Sequence, residues 1–260
     1  MTNAFSSRSL SRSLAPLVGV VGFLALWELA VVVFDIQAFE LPKPSAIVRH
    51  IADDPRFYAS NAATTMWEAF LGFGIAFVAA MAAAAVMAHS AFVERAVQPV
   101  AILLQVTPII AYAPAIVIWR GFGLQSIVTV TALVCFVPFL LNGVAGLRSV
   151  DPLLLELASS VDATRWEAFW RLRVPSALPF LFAAARIAIG LALIGAVLGE
   201  FFAGVNEGLG YAIKKAQLYS GLTMQLWGSI YVLAFLGAAS TLVLNTIERF
   251  ALRWHSSQRA

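Results

Sequence analysis

Long uninterrupted apolar stretches are the feature that most constrains how this chain can fold. A helix needs about 20 mostly apolar residues to cross the hydrocarbon layer of a membrane, whereas the strands of a transmembrane barrel alternate apolar and polar residues. Six continuous stretches fit the helical pattern, at residues 16–34, 63–88, 97–119, 126–147, 179–199 and 226–247. The sequence therefore predicts an all-α membrane protein with about six transmembrane helices.

The composition supports this prediction and excludes other classes of protein. Of the 260 residues, 61% are hydrophobic and 12% are charged, against roughly a quarter charged in ordinary soluble domains. Such a chain lacks the polar surface that a soluble enzyme or a disordered regulator requires. Cys135 is the single cysteine, so an intramolecular disulfide framework is also excluded.

The apolar stretches and the basic residues between them suggest an organisation and an orientation. We expect a single membrane domain over residues 1–260, in which residues 1–62 form an N-terminal anchor helix and a periplasmic segment. Residues 63–247 would form the core, including a polar interruption at 148–178. More arginines and lysines fall in the inner segments when the N-terminus is inside, so both termini are predicted to be cytoplasmic.

Sequence motifs for catalysis are absent. None of the three lysines follows a glycine, so no phosphate-binding G-x-x-x-x-G-K-[ST] loop exists. The chain also lacks an H-E-x-x-H metal motif and a G-x-S-x-G nucleophile turn. We therefore expect no catalytic residue, no metal site and no enzymatic activity in this polypeptide.

The polar interruption at 148–178 contains two helix-start signals. Asp151 followed by Pro152 is typical of an N-cap and first turn, and Thr164 with Glu167 matches a capping box. Two short helices with a bend near Asp162 are therefore predicted.

The two short helices are expected to differ in what they present. The first carries an apolar stripe that must be buried against this protein, lipid headgroups or a partner; it consists of Leu153, Leu154, Leu157, Ala158 and Val161. The second presents Trp166, Phe169 and Trp170, and we expect Pro175 and Pro179 to end it and start the next span.

This interruption resembles the cytoplasmic loop of permease subunits of bacterial ABC importers. That loop has the form E-A-A, three residues, G, nine residues, I-x-L-P. Glu156, Leu157 and Ala158 fall on E-A-A, Asp162 on the glycine, and residues 172–175 on I-x-L-P. Residues 41–45, 107–111, 119–123 and 208–210 further resemble the nitrate/sulfonate/taurine group of these permeases.

The resemblance implies a type I importer permease that acts with partners. A separate ATPase, which binds ATP and magnesium, would dock on the loop, and a periplasmic binding protein would deliver the solute. The chain would form a homodimer in the bacterial inner membrane and bind no cofactor itself. The implied docking residues are Glu156, Leu157, Ala158, Asp162, Ala163, Thr164 and Pro175.

The chain departs from the family pattern at position 162, and the resemblance does not specify the solute. Asp162 replaces glycine, but aspartate is among the few other residues that adopt left-handed backbone angles, so we expect the bend to survive at a cost of about 1 kcal/mol. The solute is left open between an organic anion such as a sulfonate and a vitamin or pyrimidine precursor.

Several polar residues near or within the spans are candidates for further roles. Prolines interrupt the third and fourth spans, either as simple kinks or beside a translocation pathway lined by Gln105, Thr107, Pro108, Tyr112 and Asn142. Glu200 and Glu207 are expected at an outer rim, where they either receive the binding protein or are solvated.

Only Glu28 and Arg186 are expected as charges within spans. Glu28 would pair with Arg186, face the outer headgroups or contact the solute. A secondary transporter or channel is the alternative function, and it would need a charged relay at mid-membrane depth.

Overall fold

All regular structure in the described part of the chain is helical. The computed structural model describes residues 4–219 and 221–253, and no strand occurs within them, so the predicted all-α class is confirmed. The helices of this part are α1 Ala4–Val33, α2 Pro44–Asp53, α3 Pro55–His89, α4 Ala91–Val106, α5 Ile109–Arg120, α6 Leu124–Arg148, α7 Pro152–Ser160, α8 Arg165–Ala168, a π-helical segment Phe169–Arg173, α9 Val174–Phe202, α10 Leu209–Leu218 and α11 Thr223–Ala251.

Most of the predicted spans appear as helices of membrane-spanning length. Within the described ranges, four helical stretches are long and apolar enough to cross a membrane, namely α3, α6, α8 through α9, and α11. The pair α4 and α5 adds a fifth only if it counts as one broken span. Within the part of α1 whose side chains the structure describes, Val18–Val33 forms an apolar helix.

A break at Thr107 divides the predicted third span. Helices α4 and α5 meet there at 105°. Thr107 has φ −79° and ψ 124° because the ring of Pro108 disfavours helical angles in the residue before it. The stretch at 97–119 is therefore a bent pair rather than one straight helix.

The described residues form two compact units. The first combines the N-terminal part of the chain through Ala59 with Ala212–Tyr231. Within it, the Trp27 ring packs edge-on against Trp227 and Tyr231, with centroid distances of 5.3 Å and 5.7 Å. Aromatic contacts of this kind stabilise a packed cluster beyond the area that they bury.

Glu28, in α1, lies in this first unit and caps a neighbouring helix. Its carboxylate accepts hydrogen bonds from the Ser45 backbone N–H at 3.0 Å and from the Ser45 hydroxyl at 2.6 Å. Ser45 lies in the first turn of α2, where N–H groups have no partner within the helix. The partner of Glu28 is thus a helix end, not the Arg186 side chain that the sequence suggested.

The second unit combines Ser60–Tyr211 with the C-terminal part from Val232. Its core lies between α6 and α9, which approach closely because small residues face the neighbouring backbone. A Cβ atom on Gly199 would stand 2.8 Å from the Cα of Ile127, and one on Gly195 would stand 2.7 Å from the Cα of Thr131. Only glycine allows this separation of the two helices.

The segment that follows the loop runs into the membrane without a break. The expectation that Pro175 and Pro179 end the second short helix is wrong, since α8 continues through the π-helical segment into α9. In that segment the N–H of Val174 donates to the carbonyl of Phe169. The longer hydrogen-bonded turn changes the register, so that Pro175 falls in the first turn of α9, where its missing N–H leaves no partner unsatisfied.

Candidate functional site

Both loop helices begin with the N-caps that the sequence predicts. The Asp151 carboxylate accepts a hydrogen bond from the Leu153 N–H at 2.9 Å at the start of α7. At α8 the Thr164 hydroxyl accepts from the Glu167 N–H at 3.2 Å, and the Glu167 carboxylate accepts from the Thr164 N–H at 3.0 Å. The capping box is complete, so the first turn of each helix is fixed by its own side chains.

A left-handed residue forms the bend between the two helices. Asp162 has φ +56°. The Ala163 N–H donates to the Ala158 carbonyl at 3.0 Å, and the Asp162 N–H donates to the Ser159 carbonyl at 3.2 Å. This pair of hydrogen bonds is the Schellman arrangement that ends helices at a left-handed residue. The bend therefore forms where the sequence predicts it, with aspartate in the usual place of glycine.

The apolar stripe of α7 is uncovered by the described part of this chain. No residue of α7 is buried, and the side chains of Leu153, Leu157 and Val161 are 70%, 61% and 70% exposed. Glu156 is exposed beside them. A group of large apolar side chains on an ordered helix marks an interaction surface.

The loop is attached to the membrane helices at both of its ends. At its beginning, Arg148 pairs with Glu94 of α4 at 2.7 Å and donates to the Met87 carbonyl of α3 at 3.0 Å. Beyond α8, Phe169 packs against His89 at the end of α3, with ring centroids 5.7 Å apart. A displacement of α7 would therefore act on the ends of α3 and α4.

A cavity of about 450 Å³ lies between α4, α5, α6 and α9. The tyrosine hydroxyl of Tyr112 donates to the Leu104 carbonyl at 3.2 Å, and the amide of Asn142 donates to the Pro138 carbonyl at 2.9 Å. The structure thus brings all five candidate pathway residues to one cavity, whose full lining is Leu104, Gln105, Thr107, Pro108, Ile109, Tyr112, Leu133, Val134, Val137, Pro138, Leu141, Asn142, Ile187 and Leu191.

Glu200 and Glu207, expected together at an outer rim, lie in different environments. Glu207 is exposed, but Glu200 is fully buried, so the placement of Glu200 on an exposed surface is wrong. The Glu200 carboxylate accepts hydrogen bonds from the Thr65 hydroxyl at 2.6 Å and the Tyr211 N–H at 3.0 Å. Gly208 permits this closure because a Cβ atom there would overlap the carboxylate.

Sequence analysis missed three residues of α3 that join this buried group. The Asn61 amide oxygen accepts from the Gly208 N–H at 2.8 Å, and Thr65 accepts from the Leu209 N–H at 2.8 Å. Glu68 is only 4% exposed, although it belongs to a predicted span and was not counted among the charges within spans. These three residues are spaced four and then three positions apart, which places them on one face of the helix. That spacing was the signal in the sequence that could have revealed the group.

Arg186 also has a partner that the sequence did not indicate. Its guanidinium forms an ion pair with Glu248 of α11. The two residues lie 62 positions apart in the chain. No sequence spacing connects a residue of α9 with one of α11, so this pairing depends on how the two helices pack.

Several helices of membrane-spanning length, a cavity between α4, α5, α6 and α9, and an exposed pair of capped helices are typical of a multi-pass membrane transport protein. The chain belongs to the family described as binding-protein-dependent transport system inner membrane component, whose model matches residues 72–258. This membership confirms the resemblance to permeases of ABC importers, and it favours that function over the alternative of a secondary transporter or channel.

Individual relatives support the same assignment, two of them over nearly the whole chain. The formylaminopyrimidine transport permease protein ThiX of Halalkalibacterium halodurans is 32% identical over 95% of this chain and 98% of its own length. The riboflavin transport system permease protein RibX of Chloroflexus aurantiacus is 33% identical over 96% of this chain and 95% of its length. The taurine transport system permease protein TauC of Escherichia coli is 30% identical over 65% of this chain and 61% of its length.

A solved transporter shows the same fold. A chain of the MetNI methionine ABC transporter in inward-facing conformations superimposes with a TM-score of 0.61 at 18% identity. The match covers 72% of this chain and 92% of that one. The fold is that of a type I ABC importer permease, and the relatives named above are transport permeases rather than enzymes.

Proposed function

We propose that this chain is the membrane-spanning subunit of an ATP-driven importer, working as a homodimer in the bacterial inner membrane. A separate ATPase that carries ATP and Mg²⁺ docks on α7 and the Asp162 bend, and a periplasmic binding protein delivers a small solute. Both termini are cytoplasmic. The chain itself performs no catalysis and binds no cofactor.

The exposed stripe on α7 is the observation that carries the proposal. Burying a Leu or Val side chain is favourable by about 1.5–3 kcal/mol, so covering these three side chains would contribute to the binding of a partner. A helix that lies on lipid headgroups normally carries Lys or Arg on its polar face. Helix α7 has no basic residue and carries Glu156, which favours a protein partner over an anionic lipid surface.

The attachments of the loop support a mechanical coupling. When two ATPase subunits close on ATP, the docked α7 helices move with them. Arg148 transmits the displacement to α3 and α4 through Met87 and Glu94. Because α4 contributes Gln105 to the cavity, such a movement reaches the proposed pathway residues and alternates their access between the two sides.

The cavity favours one of the two solute classes. None of the described residues that line it is charged, so a sulfonate would find no cationic partner there. A flat heterocycle suits mostly apolar walls with amide and hydroxyl groups from Gln105, Asn142 and Tyr112. Among relatives that cover more than nine tenths of the chain, those named for formylaminopyrimidine and riboflavin are 32% and 33% identical, whereas one named for aliphatic sulfonates is 26% identical. We therefore propose a pyrimidine or vitamin precursor as the solute.

The docking role is tested with a charge reversal, Glu156→Lys, in the full-length permease. The variant is expected to insert and dimerise normally but to lose the ATPase during purification and to uncouple hydrolysis from uptake in proteoliposomes. Glu40→Lys is the matched control, because Glu40 is an exposed carboxylate outside the loop and should retain the ATPase. Normal ATPase retention and solute-stimulated hydrolysis in the Glu156→Lys variant would contradict the docking role.

The solute class is tested separately with the binding protein that serves this permease. Its thermal unfolding is measured with aminopyrimidines, flavins and alkyl sulfonates. A rise in its unfolding midpoint with a heterocycle is expected, and a rise with sulfonates alone would exclude the proposed class.

A further inference from the structure

Four consecutive backbone N–H groups at the start of α10 point into a buried polar cluster. Those of Gly208 and Leu209 donate to Asn61 and Thr65. Those of Gly210 and Tyr211 donate to the Glu200 carboxylate. The first N–H groups of a helix have no partner within it, so oxygen atoms from α3 and α9 satisfy them here.

The directions of these hydrogen bonds fix the charge state of Glu200. The Thr65 oxygen accepts from the Leu209 N–H, so its single hydrogen is free to be donated to Glu200 at 2.6 Å. Glu200 therefore receives hydrogens from a hydroxyl and from two backbone amides, and donates none to them. An ionised carboxylate at the positive end of a helix fits this arrangement.

Glu68 faces this carboxylate without a donor of its own. It is 4% exposed, and its Oε2 atom is enclosed yet receives no hydrogen bond from the described residues. Its neighbour in this enclosed site is the carboxyl group of Glu200. Neither glutamate takes part in the ion pairs Arg148–Glu94, Arg171–Glu167 or Arg186–Glu248.

Two ionised carboxylates repel each other strongly in an enclosed site, and the described partners of this pair include no basic side chain. We propose that the Glu68–Glu200 pair is a proton-binding site, in which Glu68 holds one proton and donates it to the Glu200 carboxylate. The proton is taken up from solvent when the site forms, and no other bond changes. It ties α3 to the end of α9 and to the first turn of α10.

The proposal predicts that a glutamine substitution is tolerated at position 68 but not at position 200. Gln at position 68 reproduces the protonated acid, because its amide N–H can donate to Glu200 as the carboxyl hydrogen does. Gln at position 200 places an amide group among three donors, so at least one buried donor loses its acceptor. Two chemically identical substitutions are therefore expected to differ in their effect.

The experiment combines infrared spectroscopy and thermal unfolding of the full-length permease in nanodiscs at neutral pH. The wild type is expected to show the C=O stretching band of a protonated carboxylic acid, which Glu68→Gln removes. The Glu207→Gln control changes an exposed carboxylate and should keep that band. Glu68→Gln should unfold at the wild-type temperature, whereas Glu200→Gln should lower the midpoint by more than about 4 °C or prevent folding.

Specific results would overturn the proposal. These are a wild-type spectrum without the acid band, a band that persists in Glu68→Gln, or equal destabilisation by Glu68→Gln and Glu200→Gln. Stability that depends on sodium in the absence of an acid band would assign the site to a metal cation instead. Failure of Glu200→Gln to fold leaves the infrared comparison of wild type and Glu68→Gln as the deciding measurement.

Discussion

The left-handed bend at Asp162 offers a graded test of how the loop recognises its proposed ATPase partner. Its φ of +56° is accessible to glycine without penalty, whereas an ordinary L-residue pays roughly 1–2 kcal/mol there. Aspartate lies between the two, at a cost of about 1 kcal/mol. A series of Gly, Ala and Val at position 162 therefore changes how readily the free loop adopts the bend.

These backbone costs translate directly into affinity if the partner binds only the bent loop. The apparent dissociation constant is the intrinsic one divided by the fraction of loops that are bent, so a loop that is less often bent binds more weakly. Since 1.4 kcal/mol corresponds to a tenfold change, Asp162→Gly should tighten ATPase binding by up to about fivefold, and Asp162→Ala should weaken it by up to about fivefold. Asp162→Val should weaken it further, because β-branched residues avoid this region most strongly.

The assay titrates the ATPase onto the permease in nanodiscs and yields the dissociation constant of the complex for each variant. Ser160→Ala is the matched control, since Ser160 is exposed and helical and the substitution imposes no left-handed cost. The expected order of affinity is Gly, Asp, Ala and then Val. Equal affinities across the series would refute the reasoning, because they would show that the partner does not require the bend.

Two further predictions concern the membrane helices. Gly199→Ala should lower stability by more than about 2 kcal/mol, because the new Cβ would meet Ile127 across the α6–α9 contact. At Gly190 in the same helix a new Cβ would meet no atom within 4 Å, so Gly190→Ala should be neutral or stabilising by up to about 1 kcal/mol. Thermal unfolding of the two variants measures this difference in stability. Glu94→Gln removes the partly exposed ion pair with Arg148, so it should cost less than about 1 kcal/mol of stability. If the pair transmits movement, that variant should still reduce solute uptake per ATP hydrolysed in proteoliposomes, and an unchanged ratio would exclude this role.

Local interactions made the loop predictable. The caps at Asp151 and Thr164 and the bend at Asp162 depend on groups within about five positions of each other, so the sequence alone specifies them. The same holds for the all-helical membrane character, since apolar stretches of spanning length have few other stable outcomes. The five candidate pathway residues also line one cavity as a group, because the proline interruptions that marked them lie beside it.

Other features of the chain were decided only by tertiary structure. Glu200 resembles a rim residue in sequence, but it lies in the interior because Thr65, 135 positions away, meets its carboxylate. The proline positions indicated interruptions, but they specified neither the 105° angle between α4 and α5 nor the π-helical segment before Pro175.

The sequence by itself therefore determined which segments are helical and apolar, where the loop begins and bends, and which family the loop resembles. The tertiary structure decided which polar groups became partners, among them Glu68 with Glu200 and Arg186 with Glu248. The physical reason is that caps and turns are satisfied within a few residues of the same chain segment. The partner of a buried charge is instead the group that helix packing brings beside it, and no spacing along the chain specifies that group.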